Sequence, residues 1–451
     1  MKNIMKLLLL ISIMINIIGC GNTPVDEEEG TTPAPPITEE QRPMLLVLVN
    51  YENQQFISSE SSWVERIFGD NKHQLNHYFD ETSLSKFSFL QANERASTQN
   101  DGAISVFLTK NHPNSEASSQ VHSDLKDALI ITNKDIDYSE YDTNGDGHIT
   151  PNELVLMFIL AGEEDAYGSS FGSNSIWAHE SCVDSENIPL LDGVTLMGCK
   201  NSGNYGVFGE RHGSGTTSHD ATIGIIAHEL GHVVFDLPDL YDTLGRSAGI
   251  GYFGLMGGGT WANESLSELQ SLPGNTPTHF CAYSKIKNRW IDAEVVSSKD
   301  DVKVLNGTGL NNFNIIKLPI TSNEYFLVEN RANEGYDKGL FMLTRNDSLG
   351  FQGGLAVWHI DESVIREKFD NNDVQGDKTH KGVDLEEAAN AVLDKSSRAI
   401  GHDNNLYFSG NVAAFNNDTL PSSKSYSGDS TGITINNISV RSNVMEATFS
   451  N

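Results

Sequence analysis

The run Met44-Leu45-Leu46-Val47-Leu48-Val49 constrains the fold more than any other stretch of this chain. A strand with one face in water alternates apolar and polar residues, because successive side chains point to opposite faces. An unbroken apolar run instead predicts a strand covered on both faces, as in the middle of a parallel sheet. The runs Ala128 to Thr132 and Leu154 to Ala161 predict two more buried strands. Helical patterning between Trp63 and Phe79 offers material to cover them. An α/β domain around a central sheet is expected over residues 44–300.

The texture changes near residue 300. Short β-type runs recur at Phe313 to Leu318, Tyr325 to Val328, Leu355 to Ile360, Ile433 to Val440 and Met445 to Phe449. Helical periodicity there is confined to Leu385 to Leu393. Residues 301–451 are therefore expected to form a β-rich, sandwich-like C-terminal domain. A chain of 451 residues exceeds what one hydrophobic core usually serves, which agrees with this division. No internal repeat is visible.

The first residues read as a targeting segment. Lys2 and Lys6 precede an apolar run, Leu7 to Ile18, too short to span a bilayer. It ends in Ile17-Ile18-Gly19-Cys20, which resembles a bacterial lipobox. The resemblance implies a signal peptide over 1–19, cleavage before Cys20 and a lipid on that cysteine. Residues 20–43, rich in Pro, Thr and Gly and carrying Asp26-Glu27-Glu28-Glu29, then form a disordered tether. The expectation is an exported lipoprotein attached to a membrane by its N-terminal lipid. Gly21 after the cysteine favours the outer membrane or cell surface. No later segment is apolar for long enough to span a bilayer.

With 30 basic against 61 acidic residues, the net charge is −31. Such a chain repels phosphate backbones, so nucleic acid is excluded as a partner. In an oxidising compartment Cys182 and Cys199, close in sequence, are expected to pair and leave Cys281 buried, although all three pairings are open from sequence.

Residues 228–232 read His-Glu-Leu-Gly-His, after the apolar stretch Ile223 to Ala227. A helix start is expected at Thr217-Ser218-His219-Asp220. Helical positions four apart share a face, so His228 and His232 can offer two imidazole nitrogens to one zinc ion. Glu229, one step round, is placed to take a proton from water and act as general base. Downstream, Pro238 stops the helix and lets the chain turn back with an acidic side chain. The third ligand is taken as Asp239, with Asp236 and Asp242 as alternatives. Met256, in the Gly-rich stretch Gly251 to Trp261, resembles the methionine floor of metzincin-type sites.

These residues carry a wider resemblance. His-Glu-Leu-Gly-His, Leu237-Pro238-Asp239-Leu240-Tyr241-Asp242, Leu255-Met256, Trp261, Ala282-Tyr283-Ser284-Lys285, Tyr325 to Arg331 and Gly354 to Asp361 are similar to the immune inhibitor A family of secreted bacterial metallopeptidases. The resemblance runs over roughly residues 44–450. It implies an α/β zincin-like (metzincin-like) catalytic domain, a β-rich domain after it, zinc as cofactor and proteins or peptides as substrates. The chain departs from the family pattern at Phe235-Asp236, which sets Pro238-Asp239 one residue late. Many relatives carry a long inhibitory propeptide; only the short tether precedes the first strand here, so latency through a folded prosegment is not expected.

Residues 142–153, Asp-Thr-Asn-Gly-Asp-Gly-His-Ile-Thr-Pro-Asn-Glu, fit the twelve-residue calcium-loop template. Asp142, Asn144, Asp146, the His148 carbonyl and Glu153 would hold a structural calcium ion. Tyr241 or Tyr252 could donate to a tetrahedral intermediate, with core packing the simpler role for each. Packing also suffices for His359 and Asp361, and a solvated loop for Asp370 to Asp373. His212, His219 and His279 show no ligand spacing. The competing reading is a non-catalytic cell-surface binding module, or adhesin, on a degenerate peptidase scaffold. An intact Glu229 argues against it.

Overall fold

The structure, a computed structural model, describes residues 40–114, 118–170, 173–199, 201–265, 272–344 and 350–451. The expected signal peptide, Cys20 and residues 20–39 of the tether lie outside them.

The apolar run forms strand β1, Glu40–Tyr51, which begins ahead of the run at Glu40. Phe87–Gln91 (β2) and Ala103–Leu108 (β3) pair with it in parallel. On its other edge lies Val155–Glu164 (β4), in register from Met44 opposite Val155 to Val49 opposite Leu160. Strand Tyr205–His212 continues the sheet beyond β4, again in parallel. The central strands are buried on both sides, as their composition predicts. Met44, Leu46 and Leu48 enter one core, and Leu45, Val47 and Val49 the other.

Helices cover both faces. Glu60–Phe68 (α1) and Leu75–Ser83 (α2) replace the single patterned stretch expected from Trp63 to Phe79. Gly69 ends α1, returning its N–H to the carbonyl of Glu65 at 3.0 Å. The opposite face is covered by Ser118–Thr132 (α3). This corrects the strand expected at Ala128 to Thr132. Val121, Leu125, Ala128 and Leu129 follow helical spacing and are buried, while Ile130 is half exposed. The run looks strand-like only because the exposed side also carries isoleucines.

The fourth helix, Ile223–Phe235 (α4), starts after Thr222 rather than near residue 217. His219–Asp220 is instead drawn into a short antiparallel strand against Arg211 and His212. The helix packs under the sheet with α1 and α2.

A second sheet has five strands: Glu294–Val295, Ile315–Pro319, Glu324–Arg331, Gly354–Asp361 and Val383–Leu385. A third has three: Asp301–Asn306, Val444–Ser450 and Thr434–Asn436. The five-stranded sheet is apolar on both sides. Ile316, Leu318, Phe326, Val328, Leu355 and Val357 share a core with the three-stranded sheet. Ile315, Leu327, Ala356, Trp358 and Ile360 face the core that contains α4. Described residues of Ile37–Asn451 cluster as one compact unit. The helix expected over Leu385 to Leu393 is absent. Backbone donors there bond to other segments, Glu386 to the carbonyl of Val357 and Ala388 to that of Asn405, both at 2.9 Å.

Cys182 and Cys199 are disulfide-bonded, and Cys281 is buried. No helix among the described residues is long and apolar enough to cross a membrane.

Candidate metal centre

Helix α4 is apolar nearly all round, so it is a buried helix rather than a surface one. Gly231 sets how closely its neighbour can approach. A Cβ there would lie 2.5 Å from Sδ of Met256, so the methionine packs directly on the helix backbone between the two histidines. The helix ends at Asp236, in the left-handed conformation (φ 51°) that Asp tolerates better than most residues. Its N–H returns to the carbonyl of His232 at 3.1 Å. Pro238 follows and prevents further helix.

The chain then doubles back and brings Asp239 to the histidines. Oδ1 of Asp239 lies 3.0 Å from Nε2 of His228 and 3.3 Å from Nε2 of His232. The two Nε2 atoms are 3.2 Å apart. Nδ1 of His228 donates to the carbonyl of Leu255 at 3.2 Å, and Nδ1 of His232 to that of Leu237 at 2.6 Å. A carbonyl can only accept, so in each neutral ring the proton sits on Nδ1 and the Nε2 lone pair is bare. Two lone pairs and a carboxylate oxygen thus converge in a buried place. That donor set suits a divalent cation, and zinc in particular. Among the described residues, this is the one group of three or more His, Cys, Asp or Glu whose donor atoms lie within 4.8 Å of one another.

The charges follow the same logic. Burial raises the Asp239 carboxyl, but when the imidazoles carry a proton on Nε2 as well, their hydrogen bonds and charge outweigh it and hold it well below the usual range. Burial lowers His232, yet the hydrogen bond to Asp239 and its charge carry it up to about 9. The site attracts positive charge. Burial pushes the Glu229 carboxyl up, while the two histidines oppose it.

The alternative ligands are otherwise engaged. Asp236 caps the helix and is exposed. Asp242 accepts from the N–H groups of Leu244 and Ser247, at 3.1 and 3.0 Å, and pairs with Arg246 at 2.8 Å.

The cleft over the centre has a volume of about 830 Å³ and is walled by Trp177, Glu180, Tyr241, Tyr252, Trp261 and Ile400 among others. Glu229 lines it beside the histidines. Tyr241 stands 6.1 Å from the His228 ring, near parallel to it. Glu164, at the end of β4, accepts from the N–H groups of Ala166, Ala178 and Gly209 at 2.7–2.9 Å. Burial raises this carboxyl to about 8 against those three donors. It ties together segments that include the cleft wall.

One residue at the centre escaped the sequence reading. Asn372, placed there in a solvated loop, donates from Nδ2 to Oδ2 of Asp239 at 2.6 Å. The two are 133 positions apart, and no local pattern announces the pairing.

In the 142–153 loop, Oδ1 of Asp142 accepts from the N–H of Gly145 at 2.8 Å and Oδ2 from that of Gly147 at 3.0 Å. Asn144 accepts from the N–H of Asp146 at 2.8 Å, and Asp146 from that of His148 at 2.9 Å. Glu153 accepts from Thr143 and Thr150 at 3.2 and 3.0 Å. Gly147 has the positive φ (80°) that the turn needs. The imidazole of His148 turns away to Thr195, Nδ1 lying 2.6 Å from its Oγ1. The carboxylates of Asp142, Asp146 and Glu153 do not converge as the donor atoms of His228, His232 and Asp239 do.

The family profile described as the catalytic domain of immune inhibitor A peptidase M6 matches residues 37–291. No individually curated protein matches the chain. The matched segment covers more than half of the chain and contains the helix, both histidines, Glu229, Asp239 and Met256. The chain therefore belongs to the immune inhibitor A peptidase family, a family of metallopeptidases.

Proposed function

We propose that the chain is a zinc-dependent endopeptidase, exported and held at a membrane by a lipid on Cys20. The observation that carries the catalytic part is the convergence of His228 Nε2, His232 Nε2 and Asp239 Oδ1, with Glu229 beside them in an open cleft. His228, His232 and Asp239 would hold a zinc ion, which would supply Lewis-acid chemistry to a peptide carbonyl and to water. Glu229 would accept a proton from the attacking water on its carboxylate and return it to the leaving amine nitrogen. Its buried position suits both tasks, because a raised carboxyl pKa makes the proton easier to hold between the two steps. Tyr241 and Tyr252 border the cleft, where a phenol O–H can donate to the oxyanion that develops on the carbonyl. Met256 packs on the helix backbone at Gly231, between the two histidines.

The 142–153 loop is read as a structural calcium site, supported by its match to the template and by the positive φ at Gly147. Two chelators separate the metals. A zinc chelator should stop casein cleavage, and added zinc should restore it. A calcium-selective chelator should lower the melting temperature. Cleavage by demonstrably zinc-free protein would overturn the enzymatic reading. An unchanged melting temperature would remove the calcium.

The lipid rests on the lipobox-like Ile17-Ile18-Gly19-Cys20 and the basic, apolar segment before it. Metabolic labelling with a fatty-acid analogue should mark the chain and spare the Cys20→Ser variant. Equal labelling of both, or of neither, would contradict the anchor.

A further inference from the structure

The segment between α4 and Met256 has little regular structure, so its backbone groups must find partners elsewhere. Many lie beyond the segment that the family profile matches. The N–H of Ala248 donates to the carbonyl of Leu393 at 2.8 Å, and that of Tyr252 to Ile400 at 2.9 Å. Nε2 of Gln375 donates to the carbonyl of Leu240 at 3.2 Å. Arg246 bridges Asp242 and Asp373. Arg331, fully buried in the five-stranded sheet, bonds to the carbonyl of Phe253.

Asn372 goes further, because it holds the side chain of Asp239. Its Nδ2–H donates to Oδ2 of Asp239 at 2.6 Å, and its Oδ1 accepts from the N–H of Asp239 at 3.3 Å. Oδ1 of Asp239 is left for the histidines, at 3.0 and 3.3 Å. One carboxylate oxygen thus faces the metal centre, and the other is occupied by an amide. Asn372 itself sits at a left-handed backbone position, φ 49°, which Asn adopts more readily than most residues. Its carbonyl accepts from Oγ1 of Thr243 at 3.1 Å, fixing its turn to the same segment.

We propose that Asn372 is a positioning residue for the metal centre, and that the part of the chain beyond residue 291 completes that centre rather than merely accompanying it. The proposal rests on the reading of Asp239 as a zinc ligand. A partner that orients a ligating carboxylate contributes to metal affinity without touching the metal. An Asn372 that only docked its own turn would matter through its main chain, which Thr243 also holds.

The test is zinc affinity of the full chain, measured by competition with a chromophoric chelator, together with the visible spectrum of the cobalt(II)-loaded protein. Asn372→Ala should weaken zinc binding by roughly 10- to 100-fold and shift the cobalt bands. Asn372→Asp keeps the shape but removes the donor, and should lose at least as much. It carries the test alone if the alanine variant does not fold. Thr243→Val loses only the docking bond and should match wild type in both readouts. Wild-type affinity and spectrum in the Asn372 variants would overturn the proposal. So would an equal loss in Thr243→Val. Asp239→Ala, measured alongside, separates the two ideas. If it leaves zinc affinity unchanged, the ligand reading itself has failed and takes the proposal with it.

Discussion

Replacing Glu229 by Gln is expected to slow peptide-bond hydrolysis by about 10²- to 10⁴-fold, the usual contribution of a positioned general base. Zinc content should stay at the wild-type level. The two outcomes belong together because Glu229 is in the helix of the histidines but outside the His228–His232–Asp239 group. Gln has the same shape as Glu and cannot take up a proton at neutral pH. Glu229 is only 4 % exposed, and burial there favours a neutral side chain, so the amide should cost little stability. The loss should therefore appear in kcat, with KM nearly unchanged, as for a group needed in the transition state more than in substrate binding. The measurements are steady-state cleavage of a fluorogenic peptide and metal analysis of the same preparation. A variant that keeps its activity would remove Glu229 from the mechanism. A variant that loses its zinc would show that Glu229 holds the site together.

The parts of this protein that the sequence shows are those encoded locally. The apolar run at Met44 to Val49 specifies a doubly buried strand, because side-chain alternation leaves no polar face. His228 and His232 share a helix face by spacing alone, and the structure brings both to one point. Short apolar runs bounded by turn residues likewise made Glu324–Arg331 and Gly354–Asp361 legible as strands, and both are buried almost throughout. Errors arose where a tertiary partner decides the outcome. Ala128 to Thr132 is helical because its buried face aligns with Val121 and Leu125, outside the run. Leu385 to Leu393 has helical spacing, yet its backbone is claimed by Val357 and Asn405. His219–Asp220 has a capping-type pattern and pairs with Arg211 and His212 instead. Asn372 was invisible for the same reason, since its role exists only after the chain has folded over the α4–Met256 segment.

Asp239→Ala should strip the metal and abolish cleavage, whereas Asp236→Ala should leave both near wild type. The displaced Pro238-Asp239 pair left three aspartates open from sequence, and geometry now ranks them. Asp239 alone presents a carboxylate oxygen to both Nε2 atoms, and it is 5 % exposed. Removing it deletes one of three converging donors. The loss of affinity should exceed the roughly 10- to 100-fold typical of losing a supporting group. Asp236 faces solvent at the helix end, and its left-handed backbone is its main local demand. Asp242→Ala should behave in a third way. Its carboxylate gathers the N–H groups of Leu244 and Ser247 and the Arg246 side chain, so its loss should lower the melting temperature while the folded fraction still binds zinc. Zinc affinity and thermal melting of the three variants therefore give three distinct signatures. If Asp236→Ala lost zinc and Asp239→Ala kept it, the chain would have to rearrange after Phe235 when metal binds, and the assignment of Asp239 would be wrong.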